Sequence, residues 1–286
     1  TTLSAESVEN PWVWRTIVAA RRAGLECSTA AFRKWLDNVS SKTVRLAIIL
    51  AAERRLKELK PDIEAAMKKH SGDREVFRTG IAALELIDKD AGAGASGSLD
   101  GLMVKFMTDA AQPAAIRGLA MLSLQNRDGA AGVLMGLLKD KDPAVAAAAA
   151  RSLGAVQKPF VAAALHELAL STQAPVPARL EALGALSGRA EAELLPLLPL
   201  LQDEALAAQA VRTLRSALGS AEVRAAFEKA YGADKVQTSY KAQLALALGK
   251  PSPEIRPGTD EQWHEALRTG KGDPDGGRRV FFSAAA

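Results

Sequence analysis

Apolar residues recur along this chain at spacings of three and four, the period of a helix face buried against a neighbour. The clearest run is Asp142-Pro143-Ala-Val145-Ala-Ala-Ala-Ala149-Ala150-Arg-Ser-Leu153-Gly154. Asp142 is a good N-cap. Pro143 loses nothing at the first helical position, where an N–H would lack a partner anyway. Val145, Ala149 and Leu153 then form one stripe, and Gly154 suits a left-handed stop. The same frame returns as Ile116-Arg117 with Ala120, Met121 and Leu124, and as Ala178-Arg179 with Ala182, Leu183 and Leu186. It returns again as Leu206 with Ala210, Val211 and Leu214, and as Tyr240-Lys241 with Leu244, Ala245 and Leu248. Val44-Arg45 with Ile48 and Ile49 fits, and Val76 with Ile81 and Leu84 fits loosely.

The first apolar positions of these frames are 44, 76, 116, 145, 178, 206 and 240. Each interval holds a second, shorter amphipathic segment: Ile63–His70, Leu99–Met107, Ala130–Leu138, Val161–Leu170, Ala192–Leu201 and Val223–Tyr231. Two helices per unit make an array of helical hairpins. One hairpin cannot bury both its faces, so stacked neighbours supply the missing surface. The expected fold is therefore all-α, with about fourteen repeat helices in a right-handed solenoid. Ahead of the repeats, Asn10-Pro11 opens an apolar helix over Trp12–Ala23, and Ser28 caps another over Ala30–Val39. Pro196 and Pro199 fall inside Leu194–Leu201, so that helix should be short or kinked.

This pattern resembles HEAT repeats of the short bacterial kind. Asp142, Pro143, Val145, Ala149, Ala150, Leu153 and Gly154 carry the likeness, with Arg45, Arg117 and Arg179 at the frame's basic position. It extends over roughly residues 40–250. The unit around Val76 is degenerate, and Ala146 stands where the frame has Arg. The organisation read from this is a capping pair over 1–40, HEAT-like repeats over 41–250, and a linker with a further segment over 251–286.

Composition adds exclusions. A single cysteine among 286 residues excludes an internal disulfide framework. No apolar run approaches the ~18 residues that cross a bilayer. Charge is uneven: residues 41–80 hold ten Lys/Arg against six acids, whereas 141–240 balance at ten against ten. The candidate interaction patch is Arg45, Arg54, Arg55, Lys57 and Arg78, which could meet phosphates or an acidic partner. The plainer reading is a solvated face with i,i+4 pairs such as Glu53–Lys57 and Glu64–Lys68. Some HEAT-like proteins are DNA glycosylases, which makes nucleic-acid binding the alternative function. The tryptophans, though, crowd the first 35 positions, and Trp12 and Trp14 cannot share a helix face.

No catalytic, cofactor-binding or metal-ligating set stands out. Gly92-Ala-Gly94-Ala-Ser-Gly97 matches GxGxxG, but what precedes it reads as a helix rather than a strand, so it is read as a loop. Cys27 has no CxxC partner, and His70, His166 and His264 have no second ligand at metal spacing.

After Gly249 the period stops, and Lys250–Gly258 has linker composition. Thr259-Asp260 caps a helix over Glu261–Arg268. The end of the chain resembles the opening helix of a class I c-type cytochrome, through Gly272, Asp273, Gly277, Arg278, Val280 and Phe281. The CxxCH haem attachment of that family does not occur in the chain, so it attaches no haem and no cofactor is expected. HEAT-like repeats followed by such an opening resemble planctomycete-type multidomain proteins, in which a dehydrogenase-like propeller precedes the repeats and a cytochrome c domain follows. The resemblance implies a non-catalytic scaffold between redox domains, an extracytoplasmic (periplasmic) location, and flanking domains or a protein as partners. Phe281 and Phe282, adjacent on a terminal helix, are costly to expose. In a longer protein they are expected inside the cytochrome fold; in this chain they either fold back on the hairpin at Tyr240–Leu248, with Trp263 as the intermediate surface, or stay mobile, and folding back is the reading preferred.

Overall fold

The helices lie where the frame places them. In the computed structural model, which describes residues 11–88, 99–124, 129–233, 238–251, 259–270 and 277–279, no strand occurs among the described residues. The helices are α1 (Pro11–Arg22), α2 (Thr29–Leu36), α3 (Ser41–Glu53), α4 (Lys60–Lys69), α5 (Arg74–Asp88), α6 (Leu99–Thr108), α7 (Ala114–Leu124) and α8 (Ala130–Leu137). They continue as α9 (Pro143–Leu153), α10 (Pro159–Leu170), α11 (Val176–Leu186), α12 (Glu191–Leu194), α13 (Ala207–Leu214), α14 (Ala221–Tyr231), α15 (Thr238–Leu248) and α16 (Asp260–Thr269). No helix among the described residues is long and apolar enough to cross a membrane.

Local chemistry sets the ends. The Asp142 carboxylate accepts from the Ala144 N–H at 2.9 Å and Pro143 is the first helical residue. Ser28 Oγ accepts from the Ala31 N–H. Asp73 accepts from the Glu75 and Val76 N–H groups at 2.9 and 3.0 Å, so the degenerate frame at Val76 still starts a regular helix. With two prolines in Leu195–Gln202, α12 stops after one turn and the chain goes on as a 3-10 segment.

Two units form, Thr1–Leu124 and Gln125–Ala286. In the first, α1, α3, α5 and α7 pack in one row, backed by α2, α4 and α6. In the second, α9, α11, α13 and α15 make the row, backed by α8, α10, the 3-10 segment and α14. Each unit is thus an all-α stack of hairpins, the α-solenoid class. Of the frame's first positions, Val44, Val76, Ile116, Val145, Ala178 and Leu206 are fully buried and Tyr240 is half-buried. Of the remaining stripe residues, Ala149, Leu153, Leu183, Leu186, Leu214 and Leu244 are buried, while Leu248 near the end of the row is only partly covered.

One residue departs from its expected conformation. Gly154 follows α9 with φ −58°, right-handed rather than left-handed. What it supplies is closeness: a Cβ there would stand 3.2 Å from both Cα and Cβ of Ala185 on α11. The left-handed glycine stop occurs instead at Gly249, φ 67°, where the repeats end.

Candidate interaction surface

The basic residues of 41–80 are dispersed by the fold. Arg45 on α3 and Arg78 on α5 share Glu75, at 3.6 and 3.5 Å. Arg54 caps the end of α3 and donates to the Leu25 carbonyl. Arg55, in the left-handed region at φ 54°, turns the chain out of α3, and Lys57 follows on an exposed turn. Arg54 lies nine positions after Arg45, roughly 13 Å along the helix axis, so these two do not share one site.

Glu75 pairs along its own helix, with Arg78, but Glu53 and Glu64 do not. Glu53 pairs with Arg21 of α1, through Arg21 Nε at 2.7 Å, and Glu64 with Lys105 of α6 at 3.4 Å. The i,i+4 pairing of Glu53 with Lys57 fails because α3 ends at Glu53 and Arg55 redirects the backbone. Charges instead bridge successive repeats: Arg33 to Asp62 at 3.3 Å and Lys69 to Asp37 at 2.5 Å. Between α2 and α4 these two pairs border a groove that Leu36 and Ala66 also line.

The frame's arginine has a structural use. Arg117 and Arg179 are buried, and each donates through Nε to a carbonyl ten residues earlier, Met107 at 2.9 Å and Ala169 at 3.0 Å. Those carbonyls end α6 and α10, so the arginine caps the helix it packs against. Arg179 also reaches Asp203 at 3.0 Å, one hairpin on.

The most unusual polar group lies on α11. Glu181 is 4% exposed, the one buried carboxylate among the described residues. Arg151 of α9 donates to its Oε2 at 3.2 Å. Its Oε1 accepts from Arg278 and, at 2.9 Å, from Arg279. Burial alone would raise the Glu181 carboxyl, but the hydrogen bond and charge of Arg151, with Arg278 and Arg279, hold it below the usual carboxylate range. The Arg279 side chain lies 3.8 Å from the point a Cβ on Gly184 would occupy. At the same distance from that point is the amide nitrogen of Gln209, on α13. Gln209 is 2% exposed, and this nitrogen has no hydrogen-bond partner among the described residues.

Residues 102–187 match the family model for HEAT repeats. The match runs over the three hairpins α6–α7, α8–α9 and α10–α11, and so includes Arg117, Arg179 and Glu181. No curated protein matches the chain. The HEAT match and the helical stack together support a HEAT-like repeat protein, a scaffold of the type used for protein interaction.

Within this repeat frame the other candidates stand as follows. Cys27 is a free, partly covered thiol. His70 follows α4 and places its Nε2 3.0 Å from the carbonyl of Asn38, in the connection from α2 to α3, while His166 is partly covered on α10 and His264 exposed on α16. Among the described residues no group of three or more His, Cys, Asp or Glu is placed to hold a metal. The GxGxxG at Gly92–Gly97 lies outside the described residues, as do Gly272, Asp273, Val280, Phe281, Phe282 and the Trp263 side chain. The described part of the tail, 277–279, meets α11, where a buried carboxylate draws both guanidinium groups; the expected packing of Phe281 and Phe282 on Tyr240–Leu248 lies outside the described residues. Sequence reading missed Glu181 altogether. Its distance of 30 residues from Arg151, one repeat, was the available signal.

Proposed function

We propose that this chain is a non-catalytic HEAT-like scaffold that joins redox modules of a larger extracytoplasmic protein. The repeats supply the rigid part, since each hairpin is held by its neighbours and caps. The observation that carries the reading is the seating of Arg278 and Arg279 on Glu181. The segment that resembles a cytochrome opening is thereby tied to the repeat row, so a haem domain continuing from it would be held at a set place on the scaffold.

The test is the gene product beyond Ala286. A CxxCH shortly after Phe282 and a c-type haem spectrum in the purified full-length protein are the expected result. A full-length product with neither overturns the redox part of the reading and leaves the repeat scaffold.

A further inference from the structure

The cluster at Glu181 has the features of a recognition site rather than of a core. A buried ion pair adds little to stability, because desolvating each charge offsets most of the attraction. Here Arg151 already answers one oxygen of Glu181, from the neighbouring helix of the same row. The second oxygen accepts from far along the chain, from Arg278 and Arg279, 97 and 98 residues away. Gly184, one helical turn on from Glu181, leaves a floor without a side chain, over which the Arg279 methylenes lie. Beside that floor the buried Gln209 nitrogen has no acceptor among the described residues. An unpaired buried donor is unfavourable by about 1–3 kcal/mol. Arg278 and Arg279 therefore satisfy the acid, and no described residue satisfies the amide.

We propose that the surface formed by Glu181, Gly184 and Gln209 on α11 and α13 is a binding site for a peptide segment bearing adjacent arginines, and that Arg278–Arg279 occupies it in cis. The guanidinium groups bind Glu181 Oε1, the methylenes cover Gly184, and a backbone carbonyl of a better-fitting segment accepts from Gln209. The cis segment acts as an internal competitor, because a tethered ligand is presented at high effective concentration. A partner displaces it by making the hydrogen bond to Gln209 that Arg278 and Arg279 do not make. This inference rests on the repeat scaffold alone and is independent of any flanking redox domain.

The experiment is a fluorescence-anisotropy titration of a labelled peptide with the sequence of residues 270–286 into the full chain. The Arg278→Ala/Arg279→Ala chain is expected to bind it at least tenfold more tightly than the native chain. Adding Glu181→Gln is expected to abolish that gain, and a peptide with both arginines replaced by alanine is expected not to bind. A parallel measurement needs no variant: trypsin should cut after Arg279 in the native chain at least tenfold more slowly than in the free peptide. Equal peptide affinity for the native and double-variant chains overturns the proposal. So does equal binding of the arginine-free peptide, or equal tryptic rates. Loss of the CxxCH prediction above leaves each of these outcomes unchanged, so the two readings fail separately.

Discussion

A methyl group on Gly154 would stand 3.2 Å from the Cα and the Cβ of Ala185, so α9 and α11 approach at this point as closely as a missing side chain allows. The obstacle is partly backbone and cannot rotate aside. Gly154→Ala is therefore expected to destabilise the second unit by about 1–3 kcal/mol, the range for overpacking, despite alanine's better helix propensity. Gly136, in α8, has nothing within 4 Å of the same position. Gly136→Ala should raise stability by about 0.5–1 kcal/mol. Urea melts of the two variants, moving in opposite directions, check the contact.

Arg179 separates a buried polar role from a surface pair. Replacing it with methionine strands the Ala169 carbonyl and deprives Asp203 of its cation. Asp203 is partly solvated, so the expected loss is about 2–3 kcal/mol, below that of a fully buried pair. Lys139 and Glu167 also pair, at 3.3 Å, but both side chains are exposed. Lys139→Ala should change stability by less than about 0.5 kcal/mol. Equal losses in the two melts would refute the capping role of the frame's arginine.

Tyr240 anchors α15 by donating to the Leu201 carbonyl at 2.9 Å, and burial pushes its hydroxyl from 10.0 up to about 12. An acid whose folded value is raised favours the protonated folded chain. The unfolded chain releases its proton first, so stability is complete below about pH 10 and falls as pH rises toward about 12. Tyr240→Phe should lower stability by about 1 kcal/mol at neutral pH, through the lost hydrogen bond. It should also remove this residue's part of the alkaline decline. Melts at neutral pH and in the alkaline range, on both chains, measure the difference.

The basic residues of 41–80 bear on nucleic acid. Arg54 is engaged with the Leu25 carbonyl, and Arg45 and Arg78 share Glu75. Duplex DNA is expected to bind weakly, without sequence preference, and to dissociate as salt reaches the physiological range. Arg54→Ala/Arg55→Ala should leave that binding nearly unchanged. Submicromolar, salt-resistant affinity lost in the double variant would instead establish a DNA-binding solenoid.

Much of the fold was legible because the repeat states its own rule many times. A buried stripe at i, i+4 and i+8 needs only local helical geometry and one neighbour, and both recur with the period. Asp142, Pro143, Pro196 and Pro199 act within one turn of themselves, so their effects on helix ends can be read directly. Ion pairing was misread for the opposite reason. Glu53 and Glu64 have basic residues four positions on, yet their partners come from other helices, chosen by which side chains the stack brings face to face.

The amino-acid sequence by itself determined the helices, their pairing into hairpins and the core positions, since these follow from short-range periodicity. Tertiary structure alone decided that Gly154 is a contact rather than a turn, because only the position of Ala185 reveals the missing space. It alone decided that Glu181 gathers Arg151, Arg278 and Arg279. Two of those arginines lie nearly a hundred residues away, outside any repeat, and a buried carboxylate selects its cations by proximity in space.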